Sequence, residues 1–258
     1  DVATRIATME SISPDILNEQ AAQISEILLN HEIKAIIVSN TTEGNREKLL
    51  NVSKNQKGGE GGLGRVLQSV LEDADYEVVA PCREVLDVSV SASVEQFFAT
   101  CGEVDLLVCN AGVTDDAVLL KLTEKQWNDV IDVNLSGAFR CAKAVSRDML
   151  KRRTGHVIFV GSYSASHPSH GQANYAAAKA GLEGLCKSLA SEWGTRGVRV
   201  NLILPGFMET KMTTHLKPSV RETAQAKHVL GTFNHPEEAA QFIAFLDLVM
   251  RQTSGQTF

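Results

Sequence analysis

The sequence predicts an α/β fold built on a doubly wound parallel sheet. Short apolar runs alternate along the chain with longer segments of helical periodicity. Runs such as "VDLLVCNAG" (104–112) carry no polar alternation, the pattern of a parallel strand buried on both faces. That run also closes in glycine, a residue that ends a strand.

The elements follow in order. "LGRVLQSVLEDA" (63–74) has apolar residues at helical spacing. "YEVVA" (76–80) reads as a strand and "REVLDVS" (83–89) as another. Only "PC" separates them, which leaves no room for a crossover helix. "SASVEQFFATCG" (91–102) is helical, with Ser91 or Ser93 as N-cap. Residues 123–152 supply helices broken near Asn134. "GHVIFVGS" (155–162) is a strand, 172–194 a helix, "VRVNLILPG" (198–206) a strand and "PEEAAQFIAFLDLVM" (236–250) a helix. "SGQTF" begins a last strand, which is short where it stops at Phe258. Upstream, "KAIIVS" (34–39) is the nearest strand before a glycine-rich run at 58–64. Between them, residues 51–57 are polar and unsuited to a central strand.

Composition narrows the function classes. The 258 residues suffice for one α/β domain with a sizeable core. Hydrophobic content of 43% and charged content of 22% are those of a globular protein. A net charge of -6 without a Lys/Arg stripe argues against nucleic acid. The densest basic run, "KRRTGH" (151–156), fits a helix C-terminus, where cations suit the macrodipole. Five scattered cysteines without a C-x-x-C pair imply a reducing compartment, no disulfide framework and no structural zinc. No apolar run reaches transmembrane length, and residues 1–30 lack a signal-peptide core. These features set the expectation of a cytoplasmic protein without membrane contact. Seven histidines show no metal-ligand spacing, so no catalytic metal is expected.

The chemistry concentrates in "GSYSASHPSHGQANYAAAKAG". Tyr175 and Lys179, four apart, share one helix face. There the ammonium is expected to lower the phenol pKa, so that the phenol exchanges a proton with a carbinol oxygen near neutral pH. Ser162, thirteen residues before Tyr175, falls at a strand end, where its hydroxyl reaches the same oxygen.

With "LLVCNAGVTDD", "VIDVNLSGAF", "NYAAAKAGLEGL" and "GVRVNLILPGFMETKMT" in the same order, the chain from about Gly58 to Phe258 resembles the short-chain dehydrogenase/reductase family. Its closest branch looks like the 3-oxoacyl-(acyl-carrier-protein) reductases. The resemblance implies a Rossmann-like fold with Tyr175 as proton donor and Ser162 as the group stabilising the oxyanion. It implies that Lys179 binds the nicotinamide ribose, and that Asn134 kinks its helix to hold a water beside Lys179. The expected substrate is a 3-oxoacyl thioester on acyl carrier protein or coenzyme A.

"GGEGGLG" fits the family's dinucleotide loop, with Gly58, Gly62, Leu63 and Gly64 at a helix start that faces phosphates. By the same resemblance, Asp87 and Val88 contact adenine. Asn110, Ala111 and Gly112 let the adenine ribose pass. Pro205, Gly206, Phe207, Met208 and Thr210 lie over the nicotinamide. No acid follows the second strand, whereas Arg83 could meet a 2′-phosphate, so NADP(H) is favoured over NAD(H). Relatives also suggest a homo-oligomer, tetramer or dimer, through helices at about 136–152 and 175–193.

Residues about 11–59 resemble something else, a βα-strand fragment of the flavin-dependent class 2 dihydroorotate dehydrogenases. "SNTT" (39–42), with Asn40, matches a substrate-side segment, while Ser11 replaces the flavin-binding lysine. The division expected is an atypical segment 1–57 and a reductase domain 58–258. The chain then reads as a hybrid joined at Gly58-Gly59, or as a reductase with a lineage-specific extension. Catalytic silence, from a dinucleotide loop without a proper first strand, is the alternative function. A flavoprotein fragment is a third.

Overall fold

The computed structural model describes residues 33–38, 62–208, 221–222, 225–226 and 228–258. Five strands form one parallel sheet: β1 (Ile33–Val38), β2 (Tyr76–Val79), β3 (Leu106–Cys109), β4 (His156–Val160) and β5 (Arg199–Ile203). Their spatial order is β2-β1-β3-β4-β5. The helices are α1 (Leu63–Asp73), α2 (Ser91–Thr100), α3 (Glu124–Ile131), α4 (Gly137–Arg152), α5 (Ala173–Trp193) and α6 (Pro236–Leu248). The Rossmann-like doubly wound α/β fold expected from the sequence is the fold found.

The apolar runs carry the sheet because successive side chains go to opposite faces. Ile36, Val38, Leu107, Cys109, Val157, Phe159, Val200 and Leu202 pack in one buried core with residues of α4 and α5. Ala35, Ile37, Leu106, Val108, Ile158, Val160 and Ile203 pack in a second core against α1 and α6. Most strand positions therefore need an apolar residue, which is why these runs show little alternation.

β1 takes the interior position between β2 and β3, with Ile33–Ile36 paired to β2 and Ala35–Val38 paired to β3. "KAIIVS" thus supplies the first strand, although it belongs to the stretch that resembles a barrel fragment. The sequence boundary at 57/58 does not coincide with an edge of this sheet.

The strand expected at 83–89 is absent; those residues form turns. A parallel neighbour of β2 needs a crossover of a dozen or more residues, and "PC" cannot supply one. The N-cap expectation also changes. α2 starts after Val90 without a side-chain cap, and the Ser93 hydroxyl instead accepts the Asp87 N–H at 2.9 Å. The terminal segment runs beside β5, with a parallel bridge between Leu202 and Thr257 and a Phe258 N–H to Leu202 O bond of 3.0 Å.

A buried polar cluster ties the N-terminal strand ends together. Asp247 of α6 accepts from Tyr76 at 2.6 Å, from Arg199 at 2.7 Å and from His156 Nδ1 at 2.8 Å. Asn201 then donates to His156 Nε2 at 3.0 Å and to Thr253 O at 2.9 Å. With Nδ1 protonated toward the carboxylate and Nε2 accepting, the neutral imidazole has both nitrogens filled.

Candidate active site

The catalytic candidates gather at the opposite, C-terminal ends of the strands. Ligands of open α/β sheets bind outside these ends, at the point where strand order reverses. Here that point lies between β1 and β3. Asn110–Gly112 leave β3, Ser162 leaves β4 and Pro205–Met208 leave β5, while α5 brings Tyr175 and Lys179.

Ser162 caps a short 3-10 turn, its Oγ accepting the Ser164 N–H at 3.1 Å. Its position is pinned to β5 by two bonds: Gly161 N–H to Ile203 O at 2.7 Å and Tyr163 N–H to Pro205 O at 2.9 Å. The Ser162 hydroxyl acts on the Tyr175 phenol, favouring its ionised form. Lys179 is buried, and its Nζ donates to Val160 O at 2.8 Å, at the end of β4. The ammonium lies 5.8 Å from the centre of the Tyr175 ring. Ser162, Tyr175 and Lys179 are thereby brought together as the spacing predicts.

The electrostatics differ from the sequence expectation in one respect. Burial raises the Tyr175 pKa, the Ser162 hydroxyl works against that, and the charge on Asp116 adds to it. The expected depression by Lys179 is not what dominates here, because the phenol is desolvated and an acid faces it. Burial lowers Lys179 to about 8, partly opposed by Cys109.

Asn134 is buried within a π-helical turn (Asp132–Ser136) that joins α3 to α4, the break expected at this residue. Its Nδ2 donates to Val113 O and Val130 O, both at 2.8 Å, while its Oδ1 has no partner. Gly112 sits against that oxygen. A Cβ there would stand 2.7 Å from Asn134 Oδ1 and 3.5 Å from Lys179 Nζ, so glycine is needed for close approach. Asn134, Lys179 and Gly112 therefore meet in one place.

On the expected cofactor side, Gly62 has φ 94°, a left-handed value open to glycine, and starts α1 with Leu63 and Gly64 buried behind it. Asp87 is held by Ser89 through its N–H at 3.0 Å and hydroxyl at 2.6 Å, and Val88 is buried. Burial acts to raise the Asp87 carboxyl, but the Ser89 bonds and the Arg83 charge outweigh it and lower its pKa. Arg83 donates to Asp87 Oδ2 at 3.1 and 3.0 Å, so the guanidinium expected at a 2′-phosphate is paired with the aspartate expected at adenine. Asn110 donates its N–H to Val38 O at 2.9 Å, tying the loop after β3 to the end of β1, and Ala111 follows half-buried. Gly206 has no room for a side chain, with His228 Cε1 and Asn234 Oδ1 each 2.6 Å from a would-be Cβ. Met208 bridges to Asn234. Gly58, Thr210, Ser11, Asn40 and the "SNTT" segment lie outside the described residues.

Asn174, Gln172 and Asp116 escaped sequence reasoning. Buried Asn174 accepts the Tyr175 N–H at 2.8 Å and donates to Asp115 O at 3.0 Å and Gln126 O at 3.3 Å, fixing the first turn of α5. Gln172 donates to Asp116 at 3.0 Å. Burial raises the Asp116 pKa, with Asp115 adding to the effect and the Gln172 bond opposing it. An asparagine inside a first turn, beside a candidate tyrosine, was the available signal. Among the described residues, no group of three or more His, Cys, Asp or Glu is placed to hold a metal. None of the described helices is long and apolar enough to cross a membrane.

The chain is similar to several known proteins. A family profile described as Enoyl-(Acyl carrier protein) reductase matches residues 64–257. The chain is 46% identical to the 3-oxoacyl-(acyl-carrier-protein) reductase FabG of Escherichia coli over 158 residues, 61% of this chain and 65% of that protein. It spans just under two thirds of the length of that relative. The FabG protein of Thermotoga maritima is 38% identical over 220 residues, covering 85% of this chain and 82% of that one. The crystal structure of gox2181 superposes with a TM-score of 0.75 at 25% identity, over 89% of this chain and 95% of that chain. Fold, site geometry and these matches agree that the chain belongs to the short-chain dehydrogenase/reductase family.

Proposed function

We propose that the chain is an NADPH-dependent reductase of a 3-oxoacyl thioester, carried on acyl carrier protein or coenzyme A. The observation that carries this is the gathering of Ser162, Tyr175 and buried Lys179 at the C-terminal ends of the strands, with the ammonium 5.8 Å from the centre of the phenol ring. The names of the FabG relatives support the substrate class.

The described residues fit a dinucleotide. Residues 110–112 and 205–208 leave the C-terminal ends of β3 and β5, and α1 begins at a left-handed glycine whose following N–H groups suit a phosphate. Gly62, Leu63, Gly64, Asp87, Val88, Asn110, Ala111, Gly112, Pro205, Gly206, Met208 and Lys179 would hold it, with Gly58 and Thr210 completing the set. When bound, the dinucleotide supplies the hydride.

The chain supplies position and a proton. Tyr175 holds a phenol proton and serves as general acid to the substrate carbonyl oxygen. As the C=O bond becomes C–OH, the O–H bond of Tyr175 breaks and its proton passes to that oxygen. The Ser162 hydroxyl donates to the same oxygen and stabilises its developing charge. The Lys179 ammonium favours the phenolate left behind. The open Oδ1 of Asn134 gives a water beside Lys179 an acceptor through which the phenolate regains a proton.

A fluorescence titration with NADPH and NADH, followed by assay with 3-oxoacyl thioesters, tests the reading. Saturable binding favouring NADPH, with turnover lost in Tyr175→Phe, is expected. Catalytic silence is the second reading, and the Arg83–Asp87 pair favours it, since both side chains expected at the cofactor are bonded to each other. No binding by a folded sample would establish that reading. A colourless preparation would dispose of a flavoprotein.

The same proposal includes a homo-oligomer, on the family resemblance, and a cytoplasmic location, in keeping with five free thiols. It includes a join of two sequence origins near Gly58-Gly59, with 1–57 as the atypical segment and 58–258 as the reductase domain. Sequencing the source DNA across this point tests the join, and a frame lacking it would overturn it.

A further inference from the structure

We propose that Arg140 links the turn at Val88, on the cofactor side, to the π-helical turn that carries Asn134, and so acts as a positioning residue. The role in catalysis rests on the reductase reading above. Arg140 Nη1 donates to Val88 O at 3.0 Å and to Asp132 O at 3.4 Å, and Nη2 donates to Asp132 Oδ1 at 2.6 Å.

Asp132 is the first residue of the π turn. Its carbonyl also accepts the Gly137 N–H, the i+5 bond that closes that turn. A π turn inserts one residue into a helix and strains the regular ladder, so it persists only where its surroundings hold it. Arg140 is one such hold, gripping both the carbonyl and the carboxylate of Asp132. The other grip, on Val88 O, reaches outside the helix. Contact there is tight: a Cβ on Gly137 would stand 2.7 Å from Val88 Cγ2. Val88 and the π turn therefore move as one body, and the guanidinium bridges them with two-point geometry that a lysine cannot reproduce. A dinucleotide seated on Asp87 and Val88 would by this route fix Asn134 Oδ1 beside Lys179.

Hydrogen exchange of the full chain, with no ligand present, tests the link. In Arg140→Met, amides in 130–137 should exchange about tenfold faster, as expected for loss of a charge-assisted hydrogen bond. Amides of β4 should not change. Unchanged exchange at 130–137 in a folded variant would overturn the proposal. Arg140→Lys keeps the charge and the stem, and should fail to restore protection. Full protection in Arg140→Lys would overturn the two-point bridge. Failure of both variants to fold would assign Arg140 to the fold and not to the link.

With NADPH and a 3-oxoacyl coenzyme A thioester, Arg140→Met should lose about tenfold in kcat and shift the pH–rate profile, since the proton path through Asn134 is displaced. A drop in activity with an unshifted profile would mark a structural role only. If the native chain shows no turnover, the reductase reading fails while the exchange experiment still decides the link.

Discussion

Two buried polar clusters lie at opposite ends of one sheet. At the N-terminal ends, Tyr76, His156, Arg199 and Asn201 surround Asp247, and each acceptor and donor of the imidazole and carboxylate is engaged. At the C-terminal ends, Ser162, Tyr175, Lys179 and Asn134 hold an orphaned amide oxygen and a desolvated cation. The first cluster lowers Asp247 to about 2, against the pull of burial, through bonds and charges from His156, Arg199 and Tyr76. The second lets burial prevail over Tyr175 and Lys179. A filled network stabilises a fold, whereas one left open costs stability and offers chemistry.

Tyr175→Phe should separate the two most widely. Turnover should fall about 10³-fold, while thermal unfolding of the variant should match the native chain. Comparable loss of both would mean that the phenol serves the fold.

Asp247→Ala should do the reverse. It strands the Arg199 charge and the His156 and Tyr76 donors, and should cost about 3–5 kcal/mol in urea unfolding. Residual folded protein should still bind cofactor.

Acid should dismantle the N-terminal cluster first. Asp247 has a folded pKa of about 2, below its ordinary 3.8. Its stabilisation, about 2 kcal/mol, is complete above 3.8 and disappears as pH falls through about 2. Burial lowers His156 from 6.5, with Asp247 opposing. The unfolded state therefore binds the extra proton, and stability declines as pH drops below 6.5. Urea unfolding across this range should show a flatter acid limb in His156→Gln; an identical limb would clear His156 of the effect.

Lys179→Met should give the smallest change in stability, and a diagnostic one. With a folded pKa of about 8 against 10.5, the buried ammonium costs stability below pH 8, a cost that shrinks as pH rises toward 10.5. Replacing it should raise stability by about 1 kcal/mol in calorimetry, because the lost bond to Val160 O offsets part of the gain. Turnover should vanish. A destabilised variant would place Lys179 with the structural cluster.

Much of this was legible in the chain. A parallel strand has both faces buried, so β3, β4 and β5 announce themselves as apolar runs. The Tyr175–Lys179 spacing fixes a shared helix face whatever surrounds it. The strand at 83–89 was misread because its apolar residues match a strand locally. What forbids it is the missing crossover, a constraint on topology. Arg83 and Asp87 were each assigned to cofactor, although four residues apart they also suit one another. Asn174, Gln172 and Asp116 gave little signal, since their partners lie up to 59 residues away.

The sequence by itself determined the alternation of strands and helices, the two-faced core and the shared helix face of Tyr175 and Lys179, because these depend on local period and spacing; Asn134 entered through the family resemblance. Only the tertiary structure decided that β1 takes the slot between β2 and β3, that Gly112 must be bare beside Asn134, and that burial governs Tyr175. Each of these depends on which distant groups share a small, dry volume, and desolvation is a property of that volume and not of any stretch of chain.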